Sequence, residues 1–118
     1  MSNTGPNRIS PLRAQRPMQK LKAERVELLL KRMPQWGASA NRSALLRRYD
    51  LGSPWQAARI ASLLVRLFEA RRSHPWITVT GSQILVRLST PAAGGLTQAD
   101  VQFARRLDQL VLELQEGK

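Results

Sequence analysis

The chain has no cysteine and a single histidine, His74, in 118 residues. A thiol nucleophile, a Cys/His metal cage and a pair of cooperating imidazoles are therefore excluded. Any acid–base chemistry would rest on His74, hydroxyls and eight carboxylates, and neither a metal nor a cofactor is expected. Without cysteine there is no disulfide framework to suggest secretion. No apolar run approaches the roughly 20 residues that span a bilayer, and Met1 to Arg16 lacks a signal-peptide core of about 7 to 15 apolar residues. A soluble, cytoplasmic protein without membrane contact is expected. The acid-free, Ser- and Arg-containing start also admits an organellar transit peptide, but Pro6, Pro11 and Pro17 oppose the amphipathic helix such peptides form.

Positive charge is abundant. Nineteen basic against eight acidic side chains give a net charge of +11, and 15 of the basic residues are arginine. The planar guanidinium fork pairs with carboxylate or phosphate. Charge alone therefore fits an acidic protein surface, a nucleic acid, a phosphorylated ligand or simply a solubilising surface. The length suits one domain with a single modest core.

The chain divides near residue 18. Before it, polar residues and three prolines leave little to bury, so residues 1–17 read as a flexible basic tail carrying Arg8, Arg13 and Arg16. Residues 18–118 form the domain. Val26, Leu29, Leu30 and Met33 follow the stripe of an amphipathic helix expected from about Lys20 to Met33, stopped by Pro34. Trp36 to Ala40 and Ala44 to Asp50 read as strands joined at Asn41, Arg42 and Ser43. Ser53 is placed to cap a second helix with Pro54 at its first position. Its expected apolar face is Ala57, Ile60, Ala61, Leu64, Leu67 and Phe68.

That helix should end before Pro75, which puts His74 at a helix-to-strand junction. Trp76 to Thr80 and Ile84 to Thr90 form a hairpin candidate around Gly81-Ser82, with Ile84, Val86 and Leu88 on one face and Leu85 and Arg87 on the other. Thr97 and Asp100 make a capping-box-like start to a third helix, whose expected buried stripe is Val101, Ala104, Leu107, Val111 and Leu114. The order α-β-β-α-β-β-α predicts an α+β domain, a four-stranded antiparallel sheet with three helices on one face. Trp36, Trp55 and Trp76 lie on separate elements and are expected as core or rim anchors rather than a base-stacking platform. Gly94-Gly95 reads as a turn, since no phosphate-binding Lys-Ser/Thr follows it.

Glu69, then Ser73-His74-Pro75, Leu88-Ser89-Thr90-Pro91 and Gly95-Leu96-Thr97-Gln98-Ala99-Asp100 together resemble the signature of the pterin-4a-carbinolamine dehydratases. In that family the first segment reads Glu, three residues, His-His-Pro, the second carries Thr-His, and the third is Gly-Leu with an aspartate four positions on. The resemblance implies acid–base dehydration of a 4a-hydroxytetrahydropterin by the histidines, with the aspartate nearby. This chain keeps His74, Pro75 and Asp100 but has Ser73 and Pro91 where the pattern has imidazoles. A serine hydroxyl does not titrate near neutrality and proline has no proton to transfer. Losing one such group typically removes about 10² to 10⁴ in rate, so dehydratase activity is expected to be lost. Glu69, Ser73, His74, Pro75, Pro91 and Asp100 then form a remnant pocket. His74 can serve simply to pack the junction, and Asp100 to stabilise a helix start.

With its histidines lost and a basic extended start, the chain is similar to the pterin-dehydratase-like proteins associated with α-carboxysomes, regarded as Rubisco assembly factors. That resemblance implies a non-catalytic chaperone of the Rubisco large subunit, cytoplasmic or carboxysome-associated in a bacterium; the dimers or tetramers of similar family members imply an oligomer, expected here as a homodimer. Arg47, Arg48, Arg71, Arg72 and Arg87 are the expected partner-binding residues, acting on acidic patches beside an apolar sheet face. A residual dehydratase, a nucleic-acid or transcription-factor-binding adaptor and a shell protein are the other readings.

Overall fold

The structure, a computed structural model of the chain, describes residues 19–68 and 76–116. Three helices and four strands follow in the order α1 (Ala23–Arg32), β1 (Trp36–Ala38), β2 (Leu45–Asp50), α2 (Pro54–Phe68), β3 (Trp76–Thr80), β4 (Gln83–Leu88) and α3 (Gln98–Glu116), with a 3₁₀ turn at Pro91–Ala93 before α3. All strand pairs are antiparallel and the sheet order is β1-β2-β4-β3. The expected α+β architecture is present.

Alternation along the strands divides the sheet into two faces. Leu45, Tyr49, Ile84, Val86 and Leu88 are buried and pack with Val26 and Leu29 of α1, Ile60 and Leu64 of α2, and Val101, Ala104, Leu107 and Val111 of α3. Each such leucine or isoleucine removed from water contributes about 1.5–3 kcal/mol, so this single layer supplies the driving force of the fold. Among the described residues no helix covers the opposite face. Register places Gly37, Leu46, Arg87 and Trp76 in one row across it, and Arg48, Leu85 and Thr78 in the next.

Local chemistry explains the element ends. Ser53 Oγ accepts the Gln56 amide at 3.1 Å, capping α2 with Pro54 at its first position. Gly81 has φ +57, the conformation required at the first central position of a two-residue hairpin turn between Thr80 and Gln83. Leu114 is half-buried in α3.

Several details differ from expectation, among them β4, which ends at Leu88 rather than Thr90. Helix α1 starts at Ala23 rather than near Lys20, because the Leu21 amide donates to the Leu96 carbonyl at 2.7 Å and holds that segment extended. Strand β1 ends at Ala38 because Ser39 turns the chain, its Oγ accepting the Ser43 and Ala44 amides. Leu67 is 44 % exposed, since the last turn of α2 projects it beyond the buried stripe of Ala57, Ile60, Ala61 and Leu64. Of the tryptophans, expected as core or rim anchors, Trp36 lies in the core, whereas Trp55 and Trp76 are 71 % and 66 % exposed. Phe68 was also expected on the buried face of α2, but its side chain lies outside the described residues.

Candidate functional site

Of the six remnant-pocket residues, Glu69, Ser73, His74 and Pro75 lie outside the described residues. The other two are placed clearly. Pro91 is exposed and opens the 3₁₀ turn, where a fixed φ and a missing amide cost nothing. Asp100 is fully buried at the start of α3.

Asp100 is held by its own neighbourhood. Its Oδ2 accepts the Thr97 amide at 3.0 Å and the Thr90 hydroxyl at 2.7 Å, while Thr97 Oγ1 sits 3.3 Å away and 3.1 Å from Thr90 Oγ1. The contact to the Thr97 amide is the carboxylate half of a capping box, and the helix dipole favours the negative charge there. Thr90 also pairs with Gly95 through an isolated bridge, so the aspartate ties the loop after β4 to the start of α3. Its Oδ1 is buried without a hydrogen-bond partner among the described residues. Pro91 and Asp100 are thus close in the chain but chemically dissimilar. The first has no proton to give, and the second is enclosed and engaged in holding the fold.

Arg71 and Arg72 lie outside the described residues, whereas Arg47, Arg48 and Arg87 are all on the central strands β2 and β4. Arg47 is engaged internally. Its Nε donates to Asp108 Oδ1 at 3.1 Å, its terminal nitrogens reach the Gln35 side chain and the Arg48 carbonyl, and its guanidinium lies 4.1 Å from the Tyr49 ring centroid. Asp108 also accepts the Trp36 indole N–H at 2.8 Å and the Tyr49 hydroxyl at 2.5 Å. Burial, reinforced by the Asp108 hydrogen bond and charge, raises the Tyr49 hydroxyl far above its ordinary pKa, with Arg47 opposing weakly. The cluster clamps β1 and β2 to α3.

Arg48 and Arg87 have no ion-pair or side-chain hydrogen-bond partner among the described residues. They alternate with Leu46 and Leu85 on the uncovered face, beside Trp76 and Thr78, in a groove of about 630 Å³. The period-two spacing of Leu46 with Arg48 and of Leu85 with Arg87 signals a shared face within each strand. It does not signal which strands adjoin. Sequence reasoning missed the convergence of Trp36, Arg47 and Tyr49 on Asp108, since no local pattern encodes a contact between residues more than fifty positions apart. Among the described residues no group of three or more His, Cys, Asp or Glu could hold a metal, and no helix is long and apolar enough to cross a membrane.

Comparison with known proteins gives a consistent result. A relative from Thermomicrobium roseum, under the provisional name pterin-4-alpha-carbinolamine dehydratase, is 31 % identical over 93 residues, covering 79 % of this chain and 98 % of its own. One from Streptomyces coelicolor with the same provisional name is 33 % identical over 95 residues, covering 80 % and 92 %. A crystal structure described as a transcriptional coactivator/pterin dehydratase from Brucella melitensis matches with a TM-score of 0.69 at 19 % identity, covering 79 % of this chain and 99 % of that one, a likeness of fold. The model of the family described as Pterin 4 alpha carbinolamine dehydratase matches residues 19–110. The chain therefore belongs to the pterin-4-alpha-carbinolamine dehydratase family.

Proposed function

We propose that this chain is a non-catalytic member of its family that acts by binding, as an assembly factor for the Rubisco large subunit. The observation that carries the loss of catalysis is Pro91. Where the family pattern has an imidazole, this chain places a solvent-exposed proline at the head of a 3₁₀ turn, and Ser73 replaces the other missing imidazole in sequence. Asp100, enclosed by Thr90 and Thr97, is committed to the helix start. A general acid must reach the departing hydroxyl of its substrate within hydrogen-bond distance, and neither described remnant offers such a group.

Binding is supported by what the described residues leave uncovered on one sheet face: Arg48 and Arg87, without a partner among those residues, beside apolar side chains. Cationic and apolar groups side by side suit an interface that is steered by charge and held by burial. The choice of Rubisco follows the resemblance to the α-carboxysome branch. Co-expression with Rubisco subunits is expected to raise the yield of assembled enzyme, and the large subunit is expected to co-purify with the full chain. Unchanged yield together with no association would reject the reading.

A further inference from the structure

We propose that the uncovered sheet face docks an acidic protein segment in which two carboxylates accompany an aliphatic side chain. This deepens the binding reading above and rests on it, though not on the identity of the partner.

The register builds a two-by-two checkerboard. Leu46 stands opposite Arg87 and Arg48 opposite Leu85, so the two arginines lie on one diagonal and the two leucines on the other. Diagonal neighbours across an antiparallel pair are about 7–8 Å apart, close to the spacing of alternate residues on an extended segment, about 6.6 Å. Two carboxylates on alternate residues meet both guanidiniums, while an aliphatic side chain two residues further along, on the same side of the segment, covers a flanking leucine. Among the described residues no acidic side chain lines the groove and neither guanidinium has an internal partner. Trp76 walls the groove on the β3 side. On the β1 side the same row ends in Gly37, with nothing within 4 Å of where a Cβ would be, leaving that edge low for entry.

Charge and shape select this occupant over others. The first seventeen residues contain three arginines and no acid, so the chain's own tail is repelled. A second copy of the face would set arginine against arginine. A single-stranded nucleic acid needs successive aromatic platforms for its bases, and this face offers one tryptophan beside two leucines.

The test is calorimetric titration of the full chain with a short peptide of glutamate and leucine, alongside lysine/leucine and glutamate/serine peptides and an oligothymidylate. The glutamate/leucine peptide should bind, with the other three at least about tenfold weaker; Arg48→Ala and Arg87→Ala should each weaken it about tenfold, as for loss of one charge-assisted hydrogen bond. Arg105→Ala, at an exposed position on α3, should leave it unchanged. No binding, equal binding of the lysine or serine peptide, tighter oligothymidylate binding, or indifference to both groove variants would overturn the proposal. A parallel capture of the large subunit separates the two readings. Capture retained by the Arg48→Ala/Arg87→Ala double variant would reject the groove and leave the assembly role standing. Groove-dependent peptide binding without large-subunit capture would uphold the groove and reject that role.

Discussion

Replacing Asp108 by alanine should destabilise the domain by about 2–4 kcal/mol. The carboxylate accepts from the Trp36 indole N–H, the Tyr49 hydroxyl and Arg47 Nε. Trp36 is 4 % exposed and Tyr49 is also buried, so the substitution strands two buried donors, each costing about 1–3 kcal/mol. Asp108 itself is partly exposed, and water entering the vacated space holds the sum toward the lower end. Arg47 adds less, because it keeps Gln35 and the Arg48 carbonyl. With total stability near 5–15 kcal/mol, a loss of this size lowers the melting temperature by roughly 10–25 °C. Urea unfolding of the wild type, Asp108→Ala, Tyr49→Phe and the double variant measures it. In the Tyr49→Phe background the Asp108→Ala penalty should shrink by about 1 kcal/mol, since no hydroxyl is left unpaired. A penalty below about 1 kcal/mol, or additivity within about 0.5 kcal/mol, would refute the reasoning.

Two further outcomes follow from buried groups. Tyr49 is the only tyrosine, and burial holds its folded pKa above its ordinary 10. The unfolded chain therefore releases this proton first, and stability present below about pH 10 falls as pH rises beyond it. Urea titrations from neutral to strongly alkaline pH should show a steeper alkaline loss in the wild type than in Tyr49→Phe, and tyrosinate absorbance should emerge only with unfolding. Asp100→Ala should cost about 2–3 kcal/mol, because the buried Thr97 amide loses its acceptor and α3 its capping carboxylate. A melting temperature unchanged in that variant would show that the aspartate does not hold the helix start.

Sequence legibility followed the range of the interactions. Contacts within a few residues were readable: the Ser53 cap, the Gly81 turn and the Thr97–Asp100 box each depend on a spacing visible in the chain. Ile84, Val86 and Leu88 alternate with Leu85 and Arg87 as a half-buried strand must, so the faces of β4 were readable too. Long-range chemistry was not. Arg47 reads as a surface arginine until Asp108 arrives from α3, sixty-one positions away, and occupies it. Helix α1 begins late for the same reason, since nothing near Leu21 announces its bond to Leu96. Trp76 reads in sequence as a core or rim anchor, and only its place on the outer face of β3, beside Arg87, decides for the exposed alternative.

We propose that this dehydratase scaffold has lost its acid–base set, and turnover of a 4a-hydroxytetrahydropterin by the purified chain tests that loss most directly. With Ser73 and Pro91 in place of two imidazoles, the dehydration rate should stay at the spontaneous level and be unchanged by His74→Ala. A rate well above background that His74→Ala abolishes would contradict the account.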